Sequence, residues 1–424
     1  MPKGRGTIED GGGIYLKKCN KIHSTYKKGG IIMDNKELFA KICDYLKEHH
    51  DEMIATWRDF VNTESWSREP ETVNVVAEKI KAEFEKAGME CRLEDMSPNG
   101  NALVGIIGKD RPGKPIVFGG HYDTVFPKGT FGENPFRIED GKAYGPGALD
   151  MKGGITISLY VIKALEHIGW KENPIKIIYA GDEEIGHKGS KCGQLYLDES
   201  KGGLFGFNME TGLIDNALCI GRKGSLNANI TVNGRESHAG NDFTAGISAI
   251  EEMCHKILKI QKLTDLEKGT TVNTGVIKGG TVPNAVPQEC SAVIDIRIED
   301  WAEKDRIYAE IEKIVAESTV EGTSATVEFI EGLPIYETTP GVMKFFDHVV
   351  DVAADYGLPI PSGKRLGGGS DASYITMAGT PVICSFGVRG QWNHTKREYA
   401  VVDAMEERAK LIAAVILEKD KFVL

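Results

Sequence analysis

The sequence predicts an α/β fold in two parts: a mostly parallel sheet covered by helices, and an α+β unit inserted into it. Three observations carry that prediction. Short apolar runs (NALVGIIG, PIVFGG, IKIIYA, GLFGFNM) alternate with stretches of helical periodicity, as buried strands joined by crossover helices do. Over 218–333 the order changes to strand, helix, strand, strand, helix, strand, beginning with the alternating run SLNANITVNG. After LPIYETTP the first pattern resumes.

Taken in order, residues 1–33 are rich in Gly and Lys and lack the apolar segment of a secretory leader. They read as a disordered or non-native extension, with Met33 as the natural start. Leu38, Ile42, Tyr45, Leu46, Ile54, Trp57 and Val61 recur at helical spacing over 34–64. A second helix over 71–87 stops at Gly88, a suitable C-cap. The strand PIVFGG ends at His121, a helix covers 151–168, and IKIIYA covers 175–180. In the inserted unit, helices over 245–263 and 301–318 separate SLNANITVNG, TVNTGVIKGG, ECSAVIDIRIE and ATVEFIEG, a ferredoxin-like order. A helix over 340–356, the strand PVICSF and a helix over 402–418 complete the chain. One domain thus comprises 34–217 and 334–424, and the other 218–333.

The chain has 424 residues and a net charge of −11, which argues against a nucleic-acid surface. No apolar run approaches the roughly 20 residues that span a bilayer. The 8 cysteines form no CxxC pair and read as reduced thiols of a cytoplasmic protein.

Open α/β sheets gather functional groups beyond the carboxyl ends of their strands. Here those ends carry His121 and Asp123, then Asp182, Glu183 and Glu184, then Glu210; Asp150 precedes a helix, and His394 follows PVICSFG. Two imidazoles among several carboxylates suit divalent ions, zinc first, with cobalt or manganese as alternatives. One shared carboxylate can bridge two ions, as in two-metal hydrolases. If His121, Asp150, Glu184, Glu210 and His394 are the ligands, Glu183 is left as general base. Asp123 could hold the second ring nitrogen of His121.

The stretches GGHYDTVF, GPGALDMKGG, GDEEIG, NMETG, GRESHAG, VPNAVP with DIR, GGGSDASY and WNHTKREY span residues 119–399. Together they resemble the co-catalytic zinc metallopeptidase family of carboxypeptidase G, aminoacylase, acetylornithine deacetylase and succinyl-diaminopimelate desuccinylase. FGENPFRIEDGKAYGPGALDMKGG is most similar to the carboxypeptidase G branch. The resemblance implies a zinc-exopeptidase-like catalytic domain with an inserted lid and dimerisation domain, hence a homodimer. It implies that Asp150 bridges two metals, completed by His121 and Glu210 on one side and Glu184 and His394 on the other. It also implies a cis peptide bond after Asp150. His238 would stabilise the oxyanion, often across the dimer, while Asn284 and Arg297 hold the substrate carbonyl and carboxylate. The turn through Gly369 and Ser370 would bring backbone amides to the same carboxylate. The implied substrate is a small peptidyl or N-acyl amino acid, cleaved by a carboxypeptidase or dipeptidase or, alternatively, by a deacylase.

Other residues read more plainly. His187 has no partner pattern and reads as structural or exposed, and Asp182 as a supporting residue. Asp371 and Ser373 read as helix caps, Arg222 as solvated at least as readily as carboxylate-steering, and Cys384 as core.

Overall fold

The computed structural model describes residues 25–28 and 31–424. The expectation for residues 1–33 therefore falls mostly outside the described residues. Within them, Thr25–Lys28 pairs antiparallel with Ile31–Asp34.

The main sheet has six strands in the order Val382–Ile383, Phe205–Asn208, Ile116–His121, Ile175–Gly181, Gly100–Ile107 and Glu90–Glu94. The first four run parallel, and the last two join antiparallel. Ile116–His121 is buried at every position, as a strand covered on both faces must be. The helix Gly153–Ile168 is apolar almost all round because it packs against that strand and against Asn35–Glu48, His50–Asn62 and Asp403–Leu417. The single helix expected over 34–64 is two, Asn35–Glu48 and His50–Asn62. The break lies at His49, whose ring stacks on Tyr45 and whose Nδ1 sits 2.8 Å from the Tyr45 carbonyl.

The inserted unit has the expected ferredoxin-like order. Its strands lie as Thr271–Gly279, Glu289–Ile298, Gly224–Asn233 and Ser324–Glu331, all antiparallel, with helices Ala249–Gln261 and Trp301–Ala316. Alternation along Gly224–Asn233 buries Leu226, Ala228, Ile230 and Val232 in a core separate from that of the main domain. The opposite face carries Ser225, Asn227, Asp295 and Arg297. Two antiparallel threads join the units: Arg222 and Tyr336 exchange backbone hydrogen bonds of 3.0 and 3.1 Å.

A five-stranded sheet was not legible in the sequence. It runs Gly212–Leu213, Arg389–Gln391, Tyr399–Val401, Lys142–Tyr144 and Arg137–Glu139, in strands too short for a periodic signal. Tyr399, Ala400 and Val401 pair with Tyr144, Ala143 and Lys142, which brings the 392–398 loop from near the end of the chain to Asp150.

Candidate functional site

His121 sits at the last position of its strand. Its Nε2 lies 3.2 Å from Asp150 Oδ1, 3.4 Å from Glu210 Oε1 and 3.9 Å from Glu183 Oε2. Its Nδ1 lies 3.3 Å from Asp123 Oδ1. His394 Nε2 lies 3.2 Å from Asp150 Oδ2 and 3.0 Å from Glu184 Oε2. Ligand atoms of His121, Asp150 and Glu210, and of Asp150, Glu184 and His394, therefore form two triads that share Asp150, each within 4.8 Å.

Close packing holds these groups. A Cβ at Gly154 would lie 2.0 Å from the Met209 carbonyl oxygen, so only glycine lets the Gly153–Ile168 helix approach the segment bearing Glu210. The Asp150–Met151 peptide is cis, as the resemblance implies. The N–H groups of Leu149 and Asp150 donate to Glu398 Oε1 at 2.9 and 3.3 Å. Asn393 Nδ2 donates to Asp150 Oδ2 at 3.1 Å. Glu398 was not singled out from the sequence. Its only signal there is its place at the end of WNHTKREY.

Asp123 does more than orient His121. Its Oδ1 accepts from the Glu183 N–H at 3.2 Å and its Oδ2 from the Glu184 N–H at 3.1 Å. One buried carboxylate thus fixes both the ring at one strand end and the turn at the next.

The electrostatics are those of crowded acids. Burial, with the charges of Glu210, Asp371 and Glu184, pushes the Glu183 carboxyl well above its ordinary range, although His121 opposes this. Burial and Asp150 push Glu184 up to about 7 against the pull of His394. Bonds to Asp150 and Glu184 raise His394 to about 11. Burial and Asp150 raise Glu398 to about 8. Asp150 Oδ1 has no hydrogen-bond partner among the described residues. Imidazole nitrogens and carboxylate oxygens converging on an excess of negative charge fit divalent cations of the zinc type.

Around the triads lies a cavity of 460 Å³. Arg222, Gly368 and Gly369 form one wall, and Asn227, Asp295 and Arg297 of the inserted sheet face the triads. Arg222 is largely withdrawn from solvent, its side chain 9% exposed. Its guanidinium donates to Gly369 O at 3.1 Å and stands 3.9 Å from Glu210 Oε2. Arg297 pairs with Asp295 at 3.1 and 3.0 Å.

Not every expected residue reaches this cavity. Ser370 is buried beneath the wall, where its Oγ accepts from Asn208 Nδ2 at 3.2 Å. His238 and Asn284 are neighbours, since His238 pairs with Ala285 and Asn284 O accepts from Ala239 N at 2.9 Å. Both are exposed and lie outside the cavity lining. Asp182 turns away from the triads, and Asp371 does not cap its helix through its side chain; both bind His187, which is buried. No helix is long and apolar enough to cross a membrane among the described residues.

Known proteins are similar to this chain. Carboxypeptidase G2 of Pseudomonas sp. (strain RS-16) is 29% identical over 371 residues, covering 86% of this chain and 89% of its own. Succinyl-diaminopimelate desuccinylase of Caulobacter sp. (strain K31) is 27% identical over 357 residues, covering 80% and 89%. The crystal structure of aminopeptidase PepT from Bacillus cereus superposes with a TM-score of 0.75 at 23% identity, covering 88% of this chain and 99% of that one, which shows the common fold. The sequence model of Peptidase family M20/M25/M40 matches residues 117–418, a span that takes in both triads, the acidic turn and the inserted unit. The chain belongs to that peptidase family, and its chemistry is hydrolysis of amide bonds.

Proposed function

We propose that the chain is a metal-dependent hydrolase that releases an amino acid with a free carboxylate from a peptidyl or N-acyl partner, as a carboxypeptidase or dipeptidase. The observation that carries this reading is the pair of triads sharing Asp150, with Glu183 beside them and outside both. His121, Asp150 and Glu210 would hold one ion, and Asp150, Glu184 and His394 the other, with zinc favoured over cobalt or manganese. Bound there, such ions polarise a carbonyl and acidify a water. Glu183 takes the water proton and returns it to the leaving amine, a task it is free for because it stands outside both triads. Asp123 holds His121 and the turn bearing Glu183 in register. Arg222 and Arg297 support a substrate with a free carboxylate, because a guanidinium fork matches it. The amides near Gly369 and Ser370 would add to that grip.

Two separate cores support a main unit and an inserted one close to the division 34–217 with 334–424 and 218–333, although Leu218 and Cys219 pack in the main core and Ile335 in the inserted one, which sets the seam near Arg222 and Tyr336. A homodimer through the inserted unit is supported by its edge strand Thr271–Gly279, where Val276 and Ile277 are exposed. His238 and Asn284, exposed on that same unit, would serve the cavity of the partner subunit. The described cysteines are free thiols, in keeping with the cytoplasm. Deacylation of an N-acyl amino acid is the second reading, favoured by the similarity to the desuccinylase.

Purified protein tested on dipeptides, folyl-glutamate-type amides and N-acetyl or N-succinyl amino acids, with and without chelator, decides between these readings. Chelator-sensitive release of an amino acid, lost when its carboxylate is amidated, is expected. Hydrolysis indifferent to chelator or to the free carboxylate refutes the proposal.

A further inference from the structure

Behind the acidic turn, His187 is buried with each ring nitrogen against a different carboxylate. Nδ1 lies 2.7 Å from Asp182 Oδ1, and Nε2 lies 2.6 Å from Asp371 Oδ1. An ionised carboxylate only accepts, so two such contacts on one ring require two N–H donors. We propose that His187 is a fixed imidazolium strap, a positioning residue that ties the turn bearing Glu183 and Glu184 to the glycine-rich cavity wall.

The connections are short on both sides. Asp182 immediately precedes Glu183, and the His187 N–H closes the same turn by donating to Asp182 O at 3.1 Å. Asn99 Nδ2 donates to Asp182 Oδ2 at 2.8 Å, which keeps that carboxylate an acceptor. Asp371 lies two residues after Gly369, which with Gly368 walls the cavity. The other groups facing the ring are the Cys192 thiol and the Tyr196 and Tyr374 phenols. Burial opposes the charge, but Asp371, Cys192 and Asp182 outweigh it and hold the imidazolium well above the ordinary histidine range. Asp182, His187 and Cys192 also converge as a metal site would. Both ring nitrogens already face carboxylates at hydrogen-bond distance, however, which leaves His187 no lone pair for an ion.

His187 has φ +55, so glycine at this position is free of backbone strain and leaves a ring-sized hole. The first measurement is on the unaltered full chain with 15N-labelled histidine, assigned against His187→Gly or, should that variant not fold, His187→Gln. Two ring N–H protons persisting well above the ordinary titration near 6.5 are expected. A singly protonated ring at neutral pH overturns the proposal. In His187→Gly, kcat should fall about 10–100-fold with KM and metal content held within about twofold. Added imidazole should restore it, whereas pyrazole, of the same shape but uncharged, should not. Unchanged kcat, or equal rescue by both, overturns the strap. The kinetic arm rests on the proposed hydrolytic function and the ring protonation does not, so an inactive wild-type chain would count against that function alone.

Discussion

Replacing Asp123 tests how the site is held rather than what it contains. Its two oxygens accept the Glu183 and Glu184 N–H groups at 3.2 and 3.1 Å, and Oδ1 stands 3.3 Å from His121 Nδ1. Asp123→Ala strips two backbone donors of their acceptor in a region closed to solvent. Each unmet buried donor costs about 1–3 kcal/mol, so the variant should lose about 2–6 kcal/mol of stability. Asp123→Asn keeps one acceptor and turns an amide donor toward the other N–H, so its loss should be about half that. The freed turn carries the proposed base, and the freed ring a proposed ligand, so kcat should fall about 10–100-fold in either variant. Urea unfolding supplies the stabilities, a substrate from the panel the rates, and elemental analysis the bound metal. Asp123→Ala within about 0.5 kcal/mol of the parent, the range of ordinary surface changes, would refute the reasoning.

Three further outcomes are expected. Glu183→Gln keeps the shape but cannot take a proton, so kcat should fall about 10²–10⁴-fold with metal retained; a loss of metal instead would make Glu183 a ligand. Gly154→Ala should push Met209 and Glu210 off the Gly153–Ile168 helix, seen as lower metal content together with a lower melting temperature, and normal metal binding would contradict that packing. In the inserted unit, hydrogen bonds from Arg306, Lys268 and Thr270 lower the Glu303 carboxyl to about 2. A depressed folded pKa stabilises above the unfolded value of 4.5 and loses that stabilisation as pH falls toward 2. With solvent screening at Lys268, about 1–3 kcal/mol should vanish across that window, and Glu303→Gln should flatten the acid limb of the unfolding curve.

Most of the architecture was legible because long periodic runs reflect burial. The alternation of SLNANITVNG is the inner face of the inserted sheet, and IKIIYA is a strand with two covered faces. The ligand-type residues were legible because strand ends gather them. Short elements left no trace: strands of two or three residues around 137–144 and 389–401 have no period, though they carry His394 to Asp150. The break at His49 turns on a ring contact within the helix, which apolar spacing cannot reveal. His187 escaped notice because its partners are Asp182, five residues back, and Asp371, in a distant loop. Arg222 looked like a surface cation because its acceptors, the carbonyls of Gly368 and Gly369, come from a separate stretch of chain.

The ribbon that joins the two units has a consequence for how such a chain can change. Arg222 pairs with Tyr336, and Ser225 pairs with Leu333 and Gly332, so the chain leaves the main domain and re-enters it side by side. To that domain, the whole of 224–331 amounts to the tip of a hairpin. Closing so long a detour adds little entropy beyond that of a short turn when its ends are already paired. The segment is thus a cassette: it can be exchanged, lengthened or grafted at this seam without rewiring the strands that deliver His121, Asp150, Glu184 and Glu210. His394 still arrives, because the hairpin that brings it docks on Lys142–Tyr144 and never passes through the insert.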